Sequence, residues 1–381
     1  MRAALLVLAA LSIALSATVG AQGAGSALRL EIGFGIDTTR SPERDLVTLY
    51  RTYLEHRGDR PNPYWSRAEQ AQWALFDILS PSIYQGFKNF TLVHVAPVVG
   101  LDSTYLLRGL VSNVDDSTHA VRPIALYRLY AVRQEGRWVL ANALPRVTRH
   151  WRRETIGRVT FASPMARPFD RARATASARF VDSLAHAFKV PPPPNIDYYF
   201  ADELPDVFAA MGLDFFPLGQ ETVGGRAFAP NRLVFVASAD NGEGYRHELA
   251  HVVLWPFLAN ARAHGLIMEG LMTWVGGSAG VDFDSLLPGL RAYVDKHPEL
   301  TLEGVLANPP PREGTLDVGY DGMAVLCALV FERAGLEGIR ALVNAGAQPT
   351  EILTAAARAA GVPRDSLNTI WRRRLRATTP R

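Results

Sequence analysis

The sequence predicts an α+β protein in two parts, and three observations carry that prediction. Two early stretches place apolar residues at helical spacing. Five stretches rich in β-branched and aromatic residues come next, and beyond the Asp240-Asn241-Gly242 turn the apolar pattern is almost wholly helical. A chain of 381 residues, 48% hydrophobic and 20% charged, has enough apolar material for two packed cores.

Residues 1–21 read as a secretory signal peptide. One arginine precedes an apolar run that ends in small residues, with Val19-Gly20-Ala21 as the cleavage site. The mature protein is therefore expected to be secreted or periplasmic. No later stretch is long and charge-free enough to anchor it stably in a membrane. Cys327 is the only cysteine and sits in an apolar run, so no intramolecular disulfide can form and a zinc site must draw on His, Asp or Glu. The net charge of +3 is dispersed, apart from Trp371-Arg372-Arg373-Arg374-Leu375-Arg376. That cluster reads as the solvated end of a last helix rather than a nucleic-acid surface.

Ser41-Pro42 is expected to cap a helix that buries Leu46, Leu49, Tyr50, Tyr53 and Leu54, with His56 at its end. A second helix is expected from Arg67 to about Leu79. Strands are expected over Phe90–Val99, Tyr105–Val111, Ile124–Arg133, Trp138–Ala143 and Thr155–Phe161, with Glu135-Gly136 as a hairpin turn. Residues 22–165 thus form an N-terminal α+β accessory domain. In pattern alone it resembles the nuclear-transport-factor-like domains.

In the second part, residues 166–381, a helix is expected between Arg167 and Phe188. Pro191–Pro194 lead into a strand at Ile196–Phe200, and a further strand is expected at Arg232–Ala237. The glycine-containing stretch Val223–Phe228 lies between them. Asp240-Asn241-Gly242 is turn chemistry directly before Gly244-Tyr245-Arg246-His247-Glu248-Leu249-Ala250-His251. The helical pieces that follow are separated by Pro256 and Gly265, Gly276-Gly277, Pro309–Pro311, Gly335 and Gly361-Val362-Pro363.

His247, Glu248 and His251 fit H-E-x-x-H. On a helix the two imidazoles share a face and can converge on one ion, while Glu248 lies about 100° round and reaches a water beside it. A third ligand decides whether the spacing has meaning. The metzincin form needs glycine and histidine where Leu254 and Phe257 stand, which excludes it. Glu269 is the only acidic residue between Glu248 and Asp282; Asp282 and Asp284 lie further on and lack the usual context. Glu269 could also be a carboxylate favoured by a helix N-terminus.

His247-Glu248-x-x-His251 followed by Glu269-Gly270 resembles the gluzincin zinc metallopeptidases, which include thermolysin-like and aminopeptidase-N-like enzymes. The continuation through Trp274 and Gly276-Gly277 is similar to the corresponding helix of secreted bacterial gluzincins. The resemblance implies Zn2+ held by His247, His251 and Glu269, with Glu248 as general base in peptide-bond hydrolysis and a peptide or protein as substrate. Tyr320, in Val318-Gly319-Tyr320-Asp321-Gly322, resembles the family's oxyanion donor, with Tyr245 as a weaker rival. The sequence departs from the thermolysin pattern at Thr273, where an aspartate would orient a histidine, and it lacks the aminopeptidase signature on the edge strand near Gly225–Phe228. A non-catalytic protein that keeps the gluzincin fold and binds peptide or cell-envelope polymer is the reading from another class, and a zinc hydrolase of non-peptide amides is a third.

Overall fold

The computed structural model describes residues 28–80, 87–115, 117–118, 120–216, 223–262 and 264–377. The signal-peptide reading falls on residues outside this set. The fold is mixed α+β and is built on two sheets.

The first sheet comprises β1 (Arg29–Ile32), β2 (Asn89–Pro97), β3 (Thr104–Val114), β4 (Val121–Gln134) and β5 (Arg137–Ala141), in that spatial order. All neighbours pair antiparallel except β1, which runs parallel to β2. Glu135 and Gly136 both adopt positive φ at the β4–β5 turn, as a two-residue hairpin requires. Helix α1 (Glu43–His56) buries Leu46, Leu49, Tyr50, Tyr53 and Leu54 against this sheet. Pro42 rather than Ser41 occupies its cap position, and among the described residues no side-chain hydrogen bond caps it.

The helix expected to reach Leu79 stops at Gln72, forming a short α2 (Arg67–Gln72). Trp73, Phe76, Ile78 and Leu79 are all buried, and no single helical face could bury that set. Asn231 instead holds the Leu75 backbone at both its N–H and its C=O, each at 2.7 Å.

Asp77 sits in this unwound segment, fully buried. It accepts hydrogen bonds from the Tyr53 hydroxyl and from the Leu79 N–H at 3.0 Å. Burial raises its pKa from 3.8 to about 7, against the lowering effect of Tyr53. A carboxyl whose folded-state pKa lies above its unfolded value contributes stability that is fully present below the unfolded value and is lost as pH rises through the folded one. Wild-type protein should therefore lose stability between about pH 4 and pH 7, by up to a few kcal/mol. Asp77→Asn should flatten that dependence. Urea unfolding of both proteins at about pH 5 and about pH 8 checks this, and equal pH slopes would reject it.

The second sheet corrects the expected organisation. Thr155–Phe161 is not one strand of the first sheet. It turns at Gly157, where φ is +57°, into the hairpin β6 (Arg152–Ile156) and β7 (Val159–Ser163). That hairpin joins β8 (Ile196–Ala201), β11 (Leu233–Ala237) and β10 (Gly224–Phe228), in the spatial order β10-β11-β8-β7-β6. Between β8 and β10 the chain forms helix α5 (Leu204–Met211) and returns to the first sheet as β9 (Leu213–Phe215), which pairs with β4. α3 (Leu144–Val147) and α4 (Arg171–Phe188) flank the hairpin in sequence.

The second sheet is covered on both faces. Tyr198 and Phe200 of β8, with Val234 and Val236 of β11, belong to the helical core. Their neighbours Tyr199, Ala201, Leu233, Phe235 and Ala237 belong to the core shared with the first sheet. This is the strict alternation of a strand buried on both faces.

The helical half consists of α6 (Arg246–Leu258), α7 (Gly265–Gly276), α8 (Phe283–Lys296), α9 (Leu302–Ala307), α10 (Val318–Val343), α11 (Pro349–Ala360) and α12 (Leu367–Ala377). Pro256 lies inside α6 instead of ending it. It falls on the exposed side beside Trp255, so the hydrogen bond it forgoes faces solvent. Gly335, outside helical φ/ψ, kinks α10 where a break was expected. Three of the four arginines of α12 are engaged in the fold: Arg374 pairs with Glu332 at 2.6 Å, Arg376 with Asp295 at 2.7 Å, and Arg372 donates to the Val294, His297 and Leu300 carbonyls, while Arg373 is exposed. No helix among the described residues is long and apolar enough to cross a membrane.

Candidate metal centre

Helix α6 is apolar around most of its circumference, so it can exist only as a buried element. It lies against α4, α7, β10 and β11. Within it His247 and Glu248 are buried and His251 is partly exposed. The exposed side of His251 gives the cluster its opening.

Helix α7 brings Glu269 to the two histidines. Its approach to α6 depends on Gly276, where an added Cβ would lie 2.9 Å from the Arg246 carbonyl and the His247 N, and its packing on α10 depends on Gly270, where a Cβ would collide with Met323. The Glu269 Oε2 atom lies 3.1 Å from Nε2 of His247 and 3.5 Å from Nε2 of His251. One ligand atom from each of the three residues falls within 4.8 Å of the others, so the group can hold a metal ion.

The tautomer of His247 supports that conclusion. Its Nδ1 lies 2.8 Å from the Gly277 carbonyl, which can only accept, so Nδ1 carries a proton. In the neutral ring Nε2 then presents a lone pair to the Glu269 carboxylate. Two electron-rich groups face each other unless a cation lies between them or the ring takes a second proton. Glu269 is buried, which by itself would raise its pKa, yet His251 and His247 hold it well below the usual carboxylate range. Burial likewise opposes charging of His247 and is the largest single influence, but the Glu269 hydrogen bond, the charges of Glu248 and Glu269 and the Gly277 carbonyl together outweigh it, so its pKa is raised. The centre is built to pair negative charge with a cation.

Thr273 stands where the thermolysin pattern has an aspartate to orient a histidine. The Gly277 carbonyl does this for His247. Gly277 has φ of +80°, in the region that favours glycine, at the turn closing α7. The Gly276-Gly277 pair was the available signal. Thr273 is fully buried, and its hydroxyl has no hydrogen-bond partner among the described residues.

Glu248 lies outside the ligand group. Burial raises its pKa, opposed by His247 and His251. Edge strand β10 presses against it: a Cβ at Gly225 would lie 2.5 Å from Glu248 Cγ and 2.8 Å from its Oε1. Only a glycine lets the exposed strand approach the carboxylate this closely. That contact spans 23 positions of sequence, and no local pattern announces it.

Tyr320, in the first turn of α10, places its ring parallel to that of His247, with centroids 6.2 Å apart and planes 5° apart. The Asp317 side chain caps the helix by accepting from the Tyr320 N–H at 2.9 Å. Tyr245 is buried directly before α6, and burial followed by the Glu248 charge raises its pKa. His264 caps α7 through Nδ1, which accepts from Leu266 N–H at 3.2 Å, and takes no part in the cluster. Asp282 and Asp284 also lie outside the ligand group. No protein-family model matches the chain, and no curated protein matches its sequence.

Proposed function

We propose that the protein is an exported zinc-dependent hydrolase of peptide bonds, of the gluzincin type. The convergence of His247, His251 and Glu269 at one point, with the Glu248 carboxylate beside it, is the observation that carries this reading. Two imidazoles and one carboxylate suit zinc and leave room for a further ligand. A zinc ion there supplies Lewis acidity, lowering the pKa of a water it binds toward about 7 and polarising a substrate carbonyl.

The chain's own residues do the rest. Glu248 accepts the proton of the attacking water and delivers it to the leaving amine. Its burial and the Gly225 backbone fix where that proton is held. The Tyr320 hydroxyl, carried on a capped helix end beside His247, is the donor assigned to the developing oxyanion. Strand β10 is the outer strand of its sheet, and among the described residues no strand pairs with its outer edge, which can bind an extended peptide by backbone pairing next to Glu248.

Purified protein is expected to carry close to one zinc per chain and to cleave members of a diverse peptide mixture, with cleavage abolished by a chelator. Absence of zinc from intact protein, after incubation with the metal, would remove the basis of this proposal.

A further inference from the structure

Arg226 is the next residue along β10 after Gly225, and it takes no part in the metal centre. In the register of the sheet, Gly225 and Ala227 lie opposite Val236 and Val234, on the face covered by α6. Arg226 and Phe228 lie opposite Phe235 and Leu233, on the other face. The Arg226 guanidinium is half-buried over the Phe228 ring, 5.1 Å from its centroid. Among the described residues it forms no ion pair with an acidic side chain; Glu248 is the one carboxylate whose charge acts on it. Burial lowers its pKa to about 10, so it remains a cation at neutral pH in surroundings that penalise the charge.

A peptide pairing with the outer edge of β10 alternates its side chains just as β10 does. Residues opposite Gly225 and Ala227 turn toward Glu248. The residue opposite Arg226 projects onto the same face as the guanidinium, within cross-strand contact distance. A carboxylate there would compensate the half-buried cation and could accept two parallel hydrogen bonds from it. A lysine or arginine there would place two cations side by side.

We infer that Arg226 is a specificity-determining residue that selects an acidic side chain, aspartate or glutamate, in the peptide bound along β10. This rests on the reading of the centre as a peptide hydrolase. It adds a substrate class to that reading.

The test uses zinc-loaded full chain and a set of peptides that differ at one position, Glu, Gln or Lys, moved along the sequence around the cleaved bond. At one position wild type should favour Glu over Gln by on the order of ten- to a hundredfold in kcat/KM. Arg226→Gln should bring that ratio close to one, Arg226→Glu should invert it toward Lys, and Arg226→Lys should restore part of it. Zinc content and unfolding temperature confirm that each variant is folded. A second arm measures binding of the labelled Glu and Gln peptides to the Glu248→Gln protein by fluorescence anisotropy, with and without Arg226→Gln.

Wild type with no Glu preference, or a preference that survives Arg226→Gln, overturns the inference. So does an equal loss on all peptides, which would mean that Arg226 acts only on Glu248. If no peptide is cleaved but Glu-selective binding depends on Arg226, hydrolysis is refuted and the selectivity stands. If peptides are neither cleaved nor bound, both fall.

Discussion

Glu248→Gln is expected to keep close to one zinc per chain while lowering kcat by about two to four orders of magnitude. Glutamine has the same shape, so it fits the space beside the Gly225 backbone that the glutamate occupies. The ligand set of His247, His251 and Glu269 is untouched. What disappears is a proton acceptor strengthened by burial, since the raised pKa makes this carboxylate a stronger base than an exposed one. The measurement is turnover of the best peptide alongside metal content of the same sample. A non-catalytic binding protein would show no change in peptide affinity and no turnover in either form. Retained turnover with retained zinc would remove Glu248 from the base role.

The parts of this centre that were legible in the sequence are local. His247 and His251 lie four apart, and helix geometry alone makes them neighbours once Arg246–Leu258 is helical. Glu269 was reachable because it is the only acid on the next helical segment. The α+β class was legible for a similar reason, since helical and alternating periods report local environment. What could not be read depends on long-range pairing. Gly225 reaches Glu248 only because β10 is placed at the sheet edge by pairing with β11. The misplacement of Thr155–Phe161 has the same origin: strand propensity identified extended chain, but Gly157 and the choice of sheet are settled by the parallel pairing of β7 with β8. The helix that stops at Gln72 shows tertiary burial overriding a helical pattern, since Trp73, Phe76, Ile78 and Leu79 gain more from facing the core individually than from continuing the turn.

His251→Ala should abolish zinc binding, and with it the dependence of stability on the metal. In wild type, zinc at a thousandfold over its Kd would add about 4 kcal/mol, so a chelator should lower the unfolding temperature by several degrees. The variant should show no chelator effect. The physical reason lies in the charges. Glu269 is buried at the meeting point of two imidazoles, and its carboxylate needs a cation there whether the metal is present or not. Removing His251 takes away a ligand and one of the two groups holding Glu269 in its charged form. It also leaves His247 with its Nδ1 proton committed to Gly277 and its other nitrogen against the carboxylate. The variant should therefore be less stable than zinc-loaded wild type by more than chelation alone produces, since chelated wild type still has both imidazoles to share a proton with Glu269. Calorimetric unfolding of wild type and His251→Ala, each with zinc and with chelator, separates the two contributions. A His251→Ala protein that keeps stoichiometric zinc, or a wild type indifferent to the chelator, would show that the cluster is a buried hydrogen-bonded triad and not a metal centre.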